Sequence, residues 1–391
     1  MANKKLSEAK NAKNDEFYTQ YEDIQREVNA YLEYDPNVFR GKTVLLPCDD
    51  PEWSNFTRFF AQNFENFGLK KLISTSYAIE SRSPSAQEYY QLSLFETESP
   101  QFDAEKTRSH GKIFVLARDK DKTGTIDIDD LEWDYLDGDG DFRSDEVKAL
   151  RDEADIIITN PPFSLFREFL AWIVEADKDF LIIGNQNAIT YKEVFPLIMQ
   201  NKVWLGKGFK GGAAHFINKY YTDYATASDH KEGMIRVSGV VWFTNLDHGR
   251  RHRPLQLMTM ADNIKFSKHK EVKNCEYRKY DNYDAIEIPF SDAIPSDYDG
   301  VMGVPITFLD KHNPDQFEIV GITKAWFGGA NKIYPQQTQV DKNGKTSLVT
   351  KLNDGATIKL DEEPNGTTYY IVNDEYYIQM YARLLIRKRG K

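Results

Sequence analysis

The sequence predicts an α/β fold over residues 1–245 and a mixed or β-rich region over residues 246–391. Three observations carry this. Short apolar runs recur at 43–46, 69–77, 113–116, 154–159, 180–184 and 239–243, and several are apolar throughout. Segments of helical period lie between them, at 21–32, 54–63, 165–175 and 191–200. After about Asn245 that periodicity fades, and Pro, Gly, Asp and Tyr become frequent. Strands without a polar face, alternating with amphipathic helices, indicate a parallel sheet with helices on both faces.

Each element has a local reason. In 21–32, Ile24, Val28, Tyr31 and Leu32 fit one helical face. The strand at 43–46 is cut off by Pro47-Cys48-Asp49-Asp50-Pro51. The helix at 54–63 spaces Phe56, Phe59 and Phe60 for burial. From 81 to 111 the composition is polar and Ser/Glu-rich, as in an insertion. The strand ending at Thr159 is β-branched, and Asn160-Pro161-Pro162-Phe163 follows it directly. In the second region, strands are expected at 318–322, 369–372 and 382–386.

A chain of 391 residues is long enough for two domains, and its 40% hydrophobic and 13% aromatic content supports a sizeable core. No apolar run approaches a membrane span, and the N-terminal residues lack the apolar centre of a signal peptide, so a cytoplasmic protein without a membrane partner is expected. Two cysteines, Cys48 and Cys275, cannot build a disulfide framework or a cysteine-rich zinc site. The net charge of −11 opposes a polyanionic partner, but it is unevenly spread. Acidic residues crowd 119–155. Basic residues cluster at Arg250-Arg251-His252-Arg253, between Lys265 and Lys279, and from Arg383 to Lys391. A polyanion would have to be met by the second region, although each cluster alone reads as a solvated face.

Asn160-Pro161-Pro162-Phe163 ends a buried strand, where open α/β sheets bind ligands. Two prolines stop the strand and stiffen the turn, and Asn160 before a proline is held extended. The turn therefore offers an amide side chain, the Pro161 carbonyl and an aromatic face. Those are the partners an exocyclic amino group on a flat ring requires: two acceptors and a stacking surface. Three weaker constellations accompany it. Pro47, Asp49 and Asp50 form a glycine-free turn after the first strand, where carboxylates could hold an amino group or a ribose hydroxyl. Asp141 and Phe142 follow Gly140 in a turn-rich acidic segment. Phe17, Tyr18 and Thr19 precede the first helix as a cap or a pocket wall. The segment 119–130 resembles a calcium loop, but its flanks look like strands, so a hairpin turn is read there and no metal is assigned.

Taken in order, these motifs, with Gly184-Asn185-Gln186-Asn187-Ala188-Ile189 after the next strand, resemble the EcoRI-type adenine-specific DNA methyltransferases. The resemblance runs from about Asn14 to Leu246 and on through Asp281-Asn282-Tyr283-Asp284, Gly300-Val301-Met302-Gly303-Val304-Pro305 and the basic end. It implies a Rossmann-like domain that binds S-adenosyl-L-methionine, followed by a target-recognition region on duplex DNA. It further implies that Asn160 and Pro161 accept from the adenine N6 amino group, that Pro162 stiffens the turn, and that Phe163 stacks on an extruded base. Asp49 or Asp50 would meet the ribose or methionine part of the cofactor, Asp141 and Phe142 its adenine, and Phe17 and Tyr18 its methionine end. Two features depart from wider methyltransferase practice: the glycine-rich first loop is absent, and no carboxylate ends the strand at 72–76. An amino-group methyltransferase acting on RNA or protein glutamine, or a silent DNA-binding decoy, are the rival readings. A restriction endonuclease acting on the same site without a stable complex is compatible with the resemblance.

Overall fold

A computed structural model of the chain describes residues 18–49, 54–78, 100–117, 132–217 and 234–390. The calcium-loop look-alike at 119–130 lies outside these residues, as do Phe17, Asp50 and much of the Ser/Glu-rich stretch. The chain forms two compact units, one of residues 1–188 and 203–249, the other of 189–202 and 250–391.

In the first unit, the strands are β1 (Tyr18–Thr19), β2 (Thr43–Pro47), β3 (Lys71–Thr75), β4 (Lys112–Leu116), β5 (Glu132–Tyr135), β6 (Ile156–Thr159), β7 (Asp179–Asn185), β8 (Trp204–Leu205), β9 (Ala213–Ile217), β10 (Met234–Ser238) and β11 (Val240–Thr244). Eight of them form one sheet in the order β5-β4-β3-β2-β6-β7-β11-β8. The expected parallel sheet is correct only for the centre, β3-β2-β6-β7. The flanks are antiparallel, β4 on β3 and β5 on β4 at one side, β11 on β7 and β8 on β11 at the other. Burial follows this division. β2 and β6 are buried at every position, whereas β4 alternates buried and half-buried residues, as a strand with one wetter face does. β1, β9 and β10 form a separate three-stranded antiparallel sheet.

The helices of this unit follow their apolar spacing. α1 (Tyr21–Tyr34) buries Ile24, Glu27, Val28 and Tyr31. Glu27 is fully buried and satisfied: its carboxylate accepts from the Tyr31 hydroxyl at 2.9 Å and from the backbone N–H groups of Lys207 and Gly208 at 2.8 and 2.9 Å. α2 (Asn55–Gln62) is capped by the Ser54 hydroxyl, which accepts from Phe56 N, and it buries Phe56, Phe59 and Phe60. Burial of each such ring contributes roughly 1.5–3 kcal/mol. α3 (Asp145–Glu153) precedes β6, and α4 (Phe166–Glu175) follows it with Phe166, Phe169, Leu170, Trp172 and Ile173 inward.

The helix expected at 191–200 shrinks to α5 (Phe195–Met199), which belongs to the second unit. Pro196 explains the difference. A proline has no N–H to donate and is tolerated only in the first turn, so the helix starts there. The second unit adds α6 (Met260–Phe266) and nine strands: β12 (Ile286–Glu287), β13 (Met302–Pro305), β14 (Phe317–Ile322), β15 (Gln337–Val340), β16 (Thr346–Val349), β17 (Thr357–Leu360), β18 (Tyr369–Val372), β19 (Glu375–Gln379) and β20 (Arg383–Lys388). They form sheets ordered β12-β13-β20-β14 and β16-β15-β18-β19-β17. No described helix is long and apolar enough to cross a membrane.

Candidate active site

β2 and β6 lie side by side and parallel, with β3 beyond β2 and β7 beyond β6. The chain leaves β2 for one side of the sheet and returns on the other, so the carboxyl ends of β2 and β6 flank a topological switch point, the position where such sheets open a crevice. Asp49 follows the first strand by two residues and Asn160 follows the second directly.

The β6 turn is built as its residue types dictate. Thr159 is fully buried, Asn160 half-buried, and Pro162 has φ −54° and ψ 124°. Phe163–Leu165 make a single 3-10 turn, closed by Leu165 N donating to Pro162 O at 2.9 Å, and α4 continues from it. Gly184 on β7 permits this path, because a Cβ there would lie 2.3 Å from the Phe166 ring. The Asn160 amide nitrogen donates to the Thr19 hydroxyl at 3.4 Å, which leaves its carbonyl oxygen on the other branch of the amide. Thr19 is itself held by Asn55, whose amide donates to Thr19 O at 2.8 Å. Phe163 packs against the core edge-on to Phe216, with centroids 6.5 Å apart, and Phe216 pairs across the strands with Thr19.

The end of β2 has an unusual backbone. Cys48 adopts φ +86°, the left-handed region. Both Cys48 N and Asp49 N then donate to Thr75 O, at 3.2 and 3.0 Å. Asp49 is buried, and its carboxylate accepts from the Ser54 hydroxyl at 2.7 Å and from the Thr159 hydroxyl at 2.6 Å. The hydroxyl of buried Ser74 donates to Asp49 O at 2.7 Å.

Beyond β3, Ala78 N donates to Asp139 O at 2.8 Å, so the 138–142 loop lies along residues 76–78. Gly140, at φ +83°, makes that approach feasible, since a Cβ would sit 2.3 Å from Ser76 O. Tyr77 lies among Cys48, Asp141 and Arg143. Its hydroxyl pKa is pushed far above the ordinary tyrosine value, first by burial and then by Cys48 and Asp141. Asp141 is held below the usual carboxylate range by Arg143, whose guanidinium donates to it at 2.6 and 2.9 Å.

The sequence-nominated residues therefore separate. Thr19, Asp49 and Asn160 come together around the β6 turn, with Pro161, Pro162 and Phe163. Pro47 contributes its carbonyl, 2.9 Å from the Thr159 hydroxyl. Tyr18 pairs with Ile217 across β1 and β9. Asp141 joins the Tyr77 group. Phe142 does not face an open crevice: it is 1% exposed and packs on Phe169 and Trp172 at 5.1 and 5.7 Å. Ser54, Asn55, Tyr77 and Thr159 do not stand out in the sequence. Only the Ser54 cap and the position of Tyr77 just past a strand could have signalled them.

The basic clusters of the second unit also differ in how their cations are held. Lys388 bonds Ser296 O and pairs with Asp299, while Arg389 Nε donates to Pro314 O, so both tie β20 to neighbouring loops. Arg250 pairs with Asp310, and Arg251 is buried on Asn201. Lys265, Lys268, Lys270, Lys273, Arg278 and Lys279 are all exposed, and of these six only Lys268 forms an ion pair among the described residues, with Asp292 at 3.1 Å. Phe266, 62% exposed, stands among them with the Lys265 ammonium 5.0 Å from its ring.

Comparison with known proteins identifies the family. The family model for adenine-specific methyltransferase EcoRI matches residues 5–389. The chain is similar to the Type II methyltransferase M.EcoRI of Escherichia coli, with 43% identity over 82% of this chain and 90% of the relative. It is also similar to M.MpnI of Mycoplasma pneumoniae, with 35% identity over 81% of this chain and 84% of the relative. To M.MgeORF184P of Mycoplasma genitalium it is 34% identical, over 90% and 92% respectively. No solved structure matches it. A strand-end Asn-Pro-Pro-Phe turn at the switch point of the sheet, in a chain matched over nearly its whole length, means that the protein belongs to the EcoRI-type family of adenine-specific DNA methyltransferases.

Proposed function

We propose that the enzyme methylates the N6 amino group of an adenine flipped out of duplex DNA, using the β6 turn as its catalytic element. The observation that carries this reading is the position of Asn160 and Pro161 at the carboxyl end of β6, beside the end of β2. The amino nitrogen of adenine is a poor nucleophile because its lone pair is delocalised into the ring. The Asn160 carbonyl oxygen and the Pro161 carbonyl accept its two hydrogens, favour a pyramidal nitrogen and stabilise the positive charge that grows on it. This is preorganised electrostatic catalysis and requires no strong base. Phe163 supplies the stacking face, and Pro162 keeps the turn stiff. Inside a duplex the amino group cannot be reached in this geometry, so the base leaves the stack at a cost of a few kcal/mol.

The Rossmann-like order of β3, β2, β6 and β7 supports a cofactor site at the ends of β2 and β3. The residues there fit S-adenosyl-L-methionine: the Tyr77 hydroxyl and the backbone around Cys48 suit ribose hydroxyls, and the Asp141 carboxylate, which Arg143 holds but which unlike Asp49 is partly exposed, suits an adenine amino group. Phe17, Tyr18 and Asp50 are assigned to the same ligand on the family resemblance alone, and Phe142 would act as the wall behind it. When bound, the cofactor supplies an electrophilic methyl group. Residues 1–245 are read as the catalytic domain and residues 246–391 as the target-recognition region, working in the cytoplasm on duplex DNA. A cognate endonuclease would share the site without a stable complex.

Asn160→Ala is expected to reduce methyl transfer at least about a hundredfold, the usual loss for one preorganised partner of a developing charge. Cofactor affinity, measured by calorimetry, should change little. Transfer from labelled cofactor at the wild-type rate would remove Asn160 from the mechanism.

A further inference from the structure

We infer that Asp49 is a positioning residue for the catalytic turn rather than a cofactor ligand. The inference rests on the reading of Asn160 given above. Both oxygens of its carboxylate are engaged within the protein. Oδ1 accepts from the Ser54 hydroxyl at 2.7 Å and Oδ2 from the Thr159 hydroxyl at 2.6 Å, and the three residues are 6%, 3% and 0% exposed.

These bonds close a ring around the turn. From Asp49 the path runs to Ser54 and along the chain to Asn55. The Asn55 amide then holds Thr19 O at 2.8 Å. The Thr19 hydroxyl accepts from Asn160 at 3.4 Å, and Thr159, next to Asn160 in the chain, returns to Asp49. A buried carboxylate is costly to desolvate, and hydrogen bonds to its charged form offset that cost. Its position joins the first turn of the sheet to the catalytic turn. β2 and β6 are paired through Val44–Ile156 and Leu45–Ile157, but that pairing stops short of both turns, so side chains must set their relative placement. Cys48 contributes the geometry: its left-handed backbone turns both amides onto Thr75 O and sends the Asp49 carboxylate towards β6.

Such supporting shells typically change activity ten- to a hundredfold when broken. Asp49→Asn keeps the shape but exchanges one acceptor for a donor, and Thr159→Val removes the hydroxyl at constant volume. Each is expected to lower the single-turnover methyl-transfer rate at saturating cofactor by about ten- to a hundredfold, with less than about threefold change in cofactor Kd. The double variant should be much less impaired than the product of the two single effects, because both lose the Asp49–Thr159 contact. Thr159→Ser should recover most of the rate, and thermal melting of all variants identifies any that fail to fold. Wild-type rates for folded Thr159→Val, or a raised cofactor Kd with an unchanged saturating rate for Asp49→Asn, would overturn the assignment. Asn160→Ala, measured alongside, keeps the two readings apart. A defect there with normal Asp49 and Thr159 variants overturns only the role of Asp49, whereas wild-type transfer there overturns the reading of the turn itself.

Discussion

Cys48 shows how one residue can carry a feature that its type conceals. The first turn contains no glycine, which reads as a departure from cofactor-binding loops. The backbone nonetheless takes φ +86°, the conformation a glycine would supply. A side chain with a Cβ pays about 1–2 kcal/mol for that region. Cys48→Gly is therefore expected to stabilise the protein by roughly 0.5–1 kcal/mol after the entropy of the freer unfolded chain is counted, and Cys48→Val to destabilise it by at least as much. Chemical denaturation of the three proteins checks the order. Equal midpoints would mean that the surrounding bonds to Thr75 O absorb the strain. Asn160 is the opposite case, because its residue type, its proline neighbours and its place after a buried strand all point the same way. Asp49 lies between them. Its proximity to the site was legible from its place after β2, but its partner Thr159 lies 110 residues away, and no local pattern records that contact.

At the scale of elements, apolar runs and aromatic spacing located most of the strands and helices of the first unit. They also marked β14, β18 and β20 in the second. They did not reveal strand direction, because a strand buried on both faces looks the same whichever way its neighbour runs. The antiparallel β4, β5, β8 and β11 follow from where the connections turn. β20 illustrates a cost hidden inside a correctly read element. Arg383 reaches across to Glu287 through Nη2 at 2.8 Å and Nε at 3.1 Å, and the Tyr280 hydroxyl bonds the same carboxylate. Burial, followed by Glu287, pushes the Tyr280 hydroxyl pKa well above its usual value. Arg383→Met should cost about 3–5 kcal/mol, because Glu287 is left buried without its cation. Pairing it with Glu287→Leu should restore much of that loss, and urea unfolding of the single and double variants measures it.

Over the whole molecule, the net charge of −11 is unevenly spread, and the basic clusters differ in how far their cations are tied to other groups. The terminal cluster looks the most basic in sequence, yet Lys388 and Arg389 are spent on Ser296, Asp299 and Pro314. The exposed cations between Lys265 and Lys279 are better suited to phosphates. Replacing Lys265, Lys270 and Lys273 with Gln should weaken DNA binding and lower the slope of log affinity against log salt by up to about 0.9 per lysine that meets a phosphate. Lys388→Gln should move the slope less. An unchanged slope in the triple variant would remove this patch from the interface.

Sequence alone determined the family, the strand-end Asn-Pro-Pro-Phe turn and the α/β character of the first unit. Each is encoded locally, in a tetrapeptide, a hydrophobic period or a fixed order of motifs. Tertiary structure alone decided which nominated residues lie side by side and which are packed apart. It turned Phe142 into core, gave Cys48 a glycine's backbone, brought Tyr77 to Asp141 and bound Asp49 to Thr159. The physical reason is that a hydrogen bond between residues far apart in the chain depends on where strands end in space, and side-chain type does not report that.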